Sequence, residues 1–238
     1  MSIHHVHLTS YSRSKGESAL MKIAYRTASV MHDERTGKTW DFSKKKNVEV
    51  TEMIFPENQP EMGREAFWNF VEKMETRCNA NTCKDLRIAL PIELPSAVRL
   101  DLGRKFVKKL VKRYGFVADL AYHNEKGNPH LHVLVNTQRL VNGEYQKIRE
   151  LNTLKSGEVL RIRKDWATEA NELFESLGMP NRIYASKEDE VLAKISETEN
   201  RLNIAEGLLF ETKTDIEQQE LHLRLKQMEF VNQQDIQQ

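Results

Sequence analysis

The chain has 238 residues, room for one domain of ordinary size and an appendage. At 39% apolar it can bury a real core, which excludes wholesale disorder, and no apolar run reaches the ~20 residues that a membrane span needs. Its net charge of +1 hides a division: residues 1–186 hold 30 Lys+Arg against 23 Asp+Glu (+7), and residues 187–238 hold 6 against 12 (−6).

That division predicts a domain over 1–186, basic enough to meet a polyanion such as DNA, and an acidic helical extension over 187–238. The first residues lack the long apolar stretch of a secretory signal. Cys78 and Cys83 are the only cysteines, too few for a disulfide framework, and a reduced pair suits the cytosol. As C-x4-C they offer two metal ligands, but no second pair completes a site.

Taken in chain order, residues 2–10 alternate in character and read as a strand. Ser10–Gly16 reads as a basic loop. Ser18–Met31 has helical composition, with Ala19, Leu20, Ile23, Ala24 and Ala28 on one face. Turn chemistry at Asp33–Gly37 precedes a short strand around Lys38–Phe42. Asn47–Phe55 is β-rich, and Arg64–Thr76 is an amphipathic helix striped by Phe67, Phe70, Val71 and Met74. Leu86–Leu90 reads as a short strand and Val98–Tyr114 as a helix with a polar side of six cations between Arg104 and Arg113. Phe116–Tyr122 and His130–Asn136 read as two strands joined by a turn at Glu125–Pro129, where Gly127 and Asn128 tolerate positive φ. Gly157–Leu177 is a helix stopped by Gly178 and Pro180. From Asp189 to about Phe230 one long helix is expected. Its Ile195, Leu202, Leu209, Ile216, Leu223 and Phe230 recur every seven residues, but the second seam position is mostly polar, so it makes a weak coiled coil or packs on something else.

The chemistry-bearing pattern is His123-x6-His130-x-His132. Alternate residues of a strand share a face, so His130 and His132 stand roughly 6–7 Å apart on one side. His123 ends the partner strand and can be brought level with them. Three neutral imidazoles on one metal leave positions for water and a phosphate oxygen, as a catalytic rather than a closed structural site requires. The bland alternative is three packed histidines. His4, His5 and His7 form a rival group with no third partner on the right face.

At these residues the chain resembles the MobA/MobL group of conjugative mobilisation relaxases, within the HUH endonuclease superfamily. The resemblance runs over roughly residues 1–183 in consistent order. It rests on the opening strand and basic loop with Ser12-Arg13 and Gly16–Ala19, on Ala24-Tyr25-Arg26, and on Asp33–Thr39 with Trp40-Asp41. Phe55–Asn58 with Pro60, Ala89-Leu90-Pro91 with Glu93-Leu94, Gly127–His132 and Arg163–Trp166 continue it. It implies an α+β fold: an antiparallel five-stranded sheet flanked by helices, with the histidines on its two central strands. It implies Tyr25 as nucleophile and His123, His130 and His132 as ligands of Mg²⁺ or Mn²⁺, although three imidazoles intrinsically prefer a later transition metal.

By the same resemblance the chain is a bacterial, plasmid-encoded cytoplasmic enzyme that nicks and rejoins one DNA strand at a transfer origin through a 5′-phosphotyrosyl link. Arg13, Lys15 and Arg26 are expected near the scissile phosphate, Lys22 as a further DNA-contacting cation beside the tyrosine, Lys44, Lys45, Lys46 and the basic helix 104–113 on backbone phosphates, and Trp40 with Phe42 stacked on bases. The acidic helix is expected to self-associate through 189–230 or to dock an accessory mobilisation protein. Two departures stand out. Arg87 occupies a position that is often acidic in relatives, so that Asp85 or Glu93 would have to support the metal. Tyr184–Lys187 replaces a block that usually reads His-Arg-Ser. A rolling-circle replication initiator shares the chemistry but often adds a second tyrosine four residues away, where this chain has Met21 and Ser29. A DNA-binding module without catalysis and a zinc-stabilised interaction protein are the other readings.

Overall fold

A computed structural model describes residues 6–151 and 157–235, with the side chains of 221 and of 225 onward left aside. The chain divides into two compact units, 1–186 and 187–238.

In the first unit the order is β1 (Val6–Ser12), α1 (Ala19–Thr27), β2 (Val30–Asp33), β3 (Lys38–Asp41), β4 (Val48–Ile54) and α2 (Arg64–Met74). Then follow β5 (Asn81–Ala89), α3 (Ser96–Tyr114), β6 (Ala118–Glu125), β7 (Asn128–Asn136), β8 (Gln138–Val141), β9 (Glu144–Lys147) and α4 (Glu158–Ser176). Five strands form one antiparallel sheet in the order β1-β5-β7-β6-β4, and β2-β3 and β8-β9 are separate hairpins. The fold is thus α+β with an antiparallel five-stranded sheet flanked by helices, as the resemblance implies.

The central strand β7 is buried along nearly its whole length, so the period-two rule separates two faces that are both covered. Leu131, Val133 and Val135 face a core built with Phe106, Leu110, Ile162, Trp166 and Phe174 from α3 and α4. Leu134 faces Leu20, Ile23, Phe67, Trp68 and Val71 from α1 and α2. His130 and His132 share the face of Leu134. α3 lies close against β7: a Cβ built on Gly103 would stand 2.4 Å from Leu131 Cδ1, so a larger residue there would have to displace the Leu131 side chain.

The α1/α2 side is held by buried acids. Glu72 on α2 receives Arg13, Arg35 and the main-chain N–H of Ala19 at the start of α1. Asp119 on β6 accepts from Arg64 and from the Trp68 indole. Asp33 accepts from Ser18, the N-cap of α1, and from the main chain at Arg35 and Thr36.

The structure departs from the sequence reading in several places. The helix expected over Ser18–Met31 stops at Thr27, where Ala28 takes a left-handed φ of 51° and turns the chain into β2. Val30 and Met31 are better used in the pairing with Asp41 and Trp40 than in a fourth helical turn. β1 takes in Ser10 to Ser12, which had read as loop. β5 begins at Asn81 rather than Leu86, because polar Lys84 and Asp85 are buried by neighbours on both sides. The β8-β9 hairpin was not anticipated, although Asn142-Gly143, both at positive φ, is the strongest short hairpin signal a sequence carries.

The second unit is one helix, α5 (Lys187–Asp235). Its heptad residues Ile195, Leu202, Leu209, Ile216 and Leu223 are exposed. Among the described residues no helix is long and apolar enough to cross a membrane.

Candidate active site

The β6-β7 hairpin turns through Lys126 and Gly127, the latter at φ 77°, and this sets the register. His123 stands directly opposite His130, and His132 follows two residues on. All three are buried, their ring centroids lie 4.9–5.1 Å apart, and one nitrogen from each falls within 4.8 Å of the others. Each ring has one nitrogen tied to an oxygen that can only accept. His130 Nδ1 meets Asn128 O at 2.7 Å, His132 Nδ1 meets Asp85 at 2.9 Å, and His123 Nε2 meets Arg26 O at 2.8 Å. The tied nitrogen therefore carries the hydrogen, and the second nitrogen of each ring keeps its lone pair.

Burial favours the neutral form of His123 and His132. It pushes His123 down to about 4, and it outweighs the hydrogen bond and charge of Asp85 to lower His132 as well. Burial alone would raise Asp85, but the hydrogen bond from His132, the charge of the Arg26 guanidinium and the hydrogen bond from Tyr11 hold it below the usual carboxylate range. Three imidazole nitrogens around one point, one of them oriented by a buried carboxylate, fit a divalent metal. Of the two acids named for that supporting role, Asp85 meets a histidine, whereas Glu93 faces Asn181. Arg87, on β5, is exposed and lies opposite His132 on β7 and His7 on β1. His7 is exposed, and His4 and His5 lie outside the described residues.

The main chain next to Tyr25 is joined to this cluster at the end of α1. The last carbonyls of a helix have no partner within it. Here Ile23 O accepts from Thr27 Oγ1, Ala24 O from the N–H groups of Ala28 and Ser29, Tyr25 O from Lys45 Nζ, and Arg26 O from His123. The nucleophile candidate is thus one residue from a carbonyl bonded to a candidate metal ligand. Tyr25 is 43% exposed, with the Phe42 ring perpendicular to its own at 5.3 Å and Lys45 Nζ 4.0 Å from its ring centroid. Arg26 lies with its guanidinium carbon 5.3 Å from the Tyr25 ring centroid, while its Nε donates to Asp85 at 3.1 Å and its Nη2 to Tyr11 Oη at 3.2 Å. Tyr11 donates in turn to Asp85, and burial with that carboxylate pushes its phenol up to about 12. Arg26, Tyr11, Asp85 and His132 form one buried network that joins α1, β1, β5 and β7. The sequence reading missed Tyr11 and named Asp85 only as a substitute.

The remaining candidates separate. Arg13 is committed to the fold by Glu72 Oε2 at 2.7 Å and by the carbonyls of Glu72 and Glu75, so its place beside the scissile phosphate is withdrawn. Lys22 pairs with Glu17 at 3.0 Å and lies over the Tyr11 ring. Trp40 is half-buried and packs with Phe42 against the α1/α2 core, which leaves only part of the ring for a base. Lys15, Lys44 and Lys46 are exposed, and Lys45 is half-buried. Burial and the nearby Arg26 pull the Lys45 ammonium below its usual range. On α3, Arg104, Lys105, Lys109 and Arg113 are paired with Glu52, Glu169 and Asp165, which leaves Lys108 and Lys112 without an ion pair among the described residues. Cys78 is exposed and Cys83 buried, its thiol raised by burial, so the two make no metal site together.

A family model for the MobA/MobL family matches residues 17–195. The chain belongs to the MobA/MobL family. It is 37% identical over 152 residues to a probable conjugal transfer protein TraA of Sinorhizobium fredii, covering 59% of this chain and 14% of that protein. To the mobilization protein MobL of Acidithiobacillus ferridurans it is 37% identical over 123 residues, covering 52% of this chain and 32% of the relative. A probable mobilization protein MobA of Bifidobacterium longum is 31% identical over 144 residues, covering 59% of this chain and 26% of the relative. This MobA/MobL chain thus spans a third or less of those relatives. Among solved structures, one from work on the molecular basis of vancomycin resistance transfer in Staphylococcus aureus superposes with a TM-score of 0.71 at 28% identity. The match covers 78% of this chain and all of the other.

Proposed function

We propose that this MobA/MobL chain is the relaxase of a mobilisable element: it cuts one DNA strand at a transfer origin and rejoins it. The observation that supports this most is the α1 terminus, where one turn presents Tyr25 and ties its neighbour Arg26 to His123. In the proposed step the Tyr25 oxygen attacks the scissile phosphorus, a Tyr25 O–P bond forms, and the P–O3′ bond breaks. The phenol loses its proton, and the leaving 3′ oxygen gains one. The 5′-phosphotyrosyl ester keeps the free 3′-hydroxyl able to reverse the step, so a transferred strand can be closed by rejoining.

His123, His130 and His132 would hold the divalent ion, Mg²⁺ or Mn²⁺, which when bound supplies positive charge to a non-bridging phosphate oxygen. Asp85 fixes His132, and Asn128 O fixes His130. Lys15, Lys44 and Lys46 are the exposed cations offered to the strand, and Lys22 and part of Trp40 lie at its margin. The partners in this reading are single-stranded DNA at the transfer origin, an accessory mobilisation protein, and a second copy through the exposed heptad residues of α5. The setting is the bacterial cytoplasm. A single tyrosine on α1, with Ser29 hydrogen-bonded to Thr27, favours a transfer relaxase over a two-tyrosine replication initiator.

The test is a denaturing gel of protein with Mn²⁺ and a labelled random single-stranded DNA pool, comparing wild type with Tyr25→Phe and His130→Ala. A protease-sensitive shifted band is expected with wild type alone. Its absence from folded, metal-loaded wild type, repeated with the DNA that flanks the gene, would move the reading to a DNA-binding module without catalysis.

A further inference from the structure

We infer that Lys45 is the residue that positions Tyr25, holding both its main chain and its ring, rather than a free cation awaiting a phosphate. The inference rests on the nucleophilic reading of Tyr25 given above. Lys45 differs from its neighbours in a run of three: Lys44 and Lys46 are exposed, whereas Lys45 is half-buried. Its ammonium donates to Tyr25 O at 3.0 Å and stands 4.0 Å from the centroid of the same residue's ring. One group therefore grips the tyrosine twice.

The loop that carries it is built for that contact. Asp41 Oδ1 accepts from the N–H and hydroxyl of Ser43 at 2.9 and 2.7 Å, and Lys45 N donates to Phe42 O at 2.9 Å. Asn47 takes a left-handed φ of 74° where the loop enters β4. Phe42 N donates to Ser29 O at 3.1 Å, which ties the loop to the segment just beyond α1. From this one loop the Phe42 ring packs perpendicular to the Tyr25 ring at 5.3 Å between centroids, and Lys45 stands over the Tyr25 ring. An exposed tyrosine would otherwise sample several rotamers, and an in-line attack uses one.

The contact is electrostatic as well as steric. Negative charge develops on the phenol oxygen and its ring as the proton leaves, and again as the phosphotyrosyl bond breaks during rejoining. A cation over the ring face is attracted more strongly as that charge grows. Capping Tyr25 O also places the cation at the negative end of α1, where it is favoured.

Three variants and three readouts separate positioning from phosphate binding. For Lys45→Met, the rate of adduct formation at saturating single-stranded DNA is expected to fall roughly tenfold or more, with the DNA Kd changed by less than about twofold. Lys45→Arg, which keeps a carbonyl donor and a cation over the ring, is expected to recover most of that rate. In metal-free, DNA-free protein the Tyr25 ring protons, assigned by comparison with Tyr25→Phe, are expected to shift in Lys45→Met. A raised Kd with an unchanged saturating rate, no rescue by arginine, or an unmoved Tyr25 ring signal would each overturn the inference. Wild type that forms no adduct would overturn the nicking reading, while the ring signal would still report whether Lys45 holds the tyrosine.

Discussion

The two faces of β7 carry the same backbone and opposite tasks. Leu131, Val133 and Val135 lie against α3 and α4 with no polar group among them, and the contact is close enough that a Cβ at position 103 would have to displace the Leu131 side chain. One residue over, His130 and His132 lie toward the α1 side, where every buried polar group must find a partner: Asn128 O, Asp85, Arg26 and Tyr11. The first face needs only the right volume. The second needs named atoms at named distances, contributed from β1, α1, β5 and the hairpin turn. A slip of one residue in the β6-β7 register would exchange the two sets, which is why the turn at Gly127 matters to both.

The largest expected effect breaks the polar face at its outer end. Tyr25→Phe should reduce covalent DNA adduct to background on a denaturing gel. It should leave the unfolding midpoint almost unchanged, because the hydroxyl belongs to an exposed side chain. Next comes a paired test on adjacent residues of β7. Leu131→Ala should cost about 2–5 kcal/mol in denaturant unfolding through the cavity it leaves, with Mn²⁺ still bound by the folded fraction. His130→Ala should cost about 1 kcal/mol and abolish metal binding measured by calorimetry. If both variants lost stability alike and kept the metal, the division of labour between the faces would be wrong.

A milder change sharpens the comparison. Asp85→Asn keeps an acceptor for His132 but removes the charge that faces the imidazole and Arg26. Mn²⁺ affinity should fall roughly ten- to a hundredfold. The smallest effect lies under α1. Asp33 is fully buried, and although burial opposes its charge, hydrogen bonds from Ser18 and Thr36 hold its carboxyl below the ordinary value of about 3.9. A depressed folded value means that the carboxylate stabilises the protein fully above the unfolded pKa, and that this contribution fades as pH falls through the folded one. Asp33→Asn should therefore be less stable than wild type by about 1–2 kcal/mol at pH 7, with the gap closing below about pH 4. Urea melts at several pH values would check this, and a gap that persisted at low pH would assign the loss to packing instead.

Much of the site was legible because strand and turn signals are local. His130 and His132 alternate on an apolar strand, Gly127 marks the turn, and His123 falls level through the pairing that the turn dictates. The element list was legible for the same reason wherever a helix or strand kept its own period. It failed where tertiary pairing overrode composition, as at β2, which follows an alanine-rich helix, and at the polar start of β5. The basic residues were the least legible. Arg13 and Lys45 look alike in the chain, yet one is spent on Glu72 and the other on Tyr25.

By itself the sequence determined which residue types could meet on one face: three imidazoles from a hairpin, an apolar strand behind them, and a seven-residue stripe along α5. Periodicity encodes orientation, and orientation needs only neighbours in the chain. The tertiary structure alone decided which partner each polar atom takes. Arg26 O meets His123 across 97 residues, Asp85 meets His132 across 47, and Arg13 meets Glu72 across 59. Such pairings depend on where α1 ends and how β5 registers between β1 and β7. A buried charge accepts whichever partner the packed chain brings within about 3 Å, and no local pattern encodes that choice.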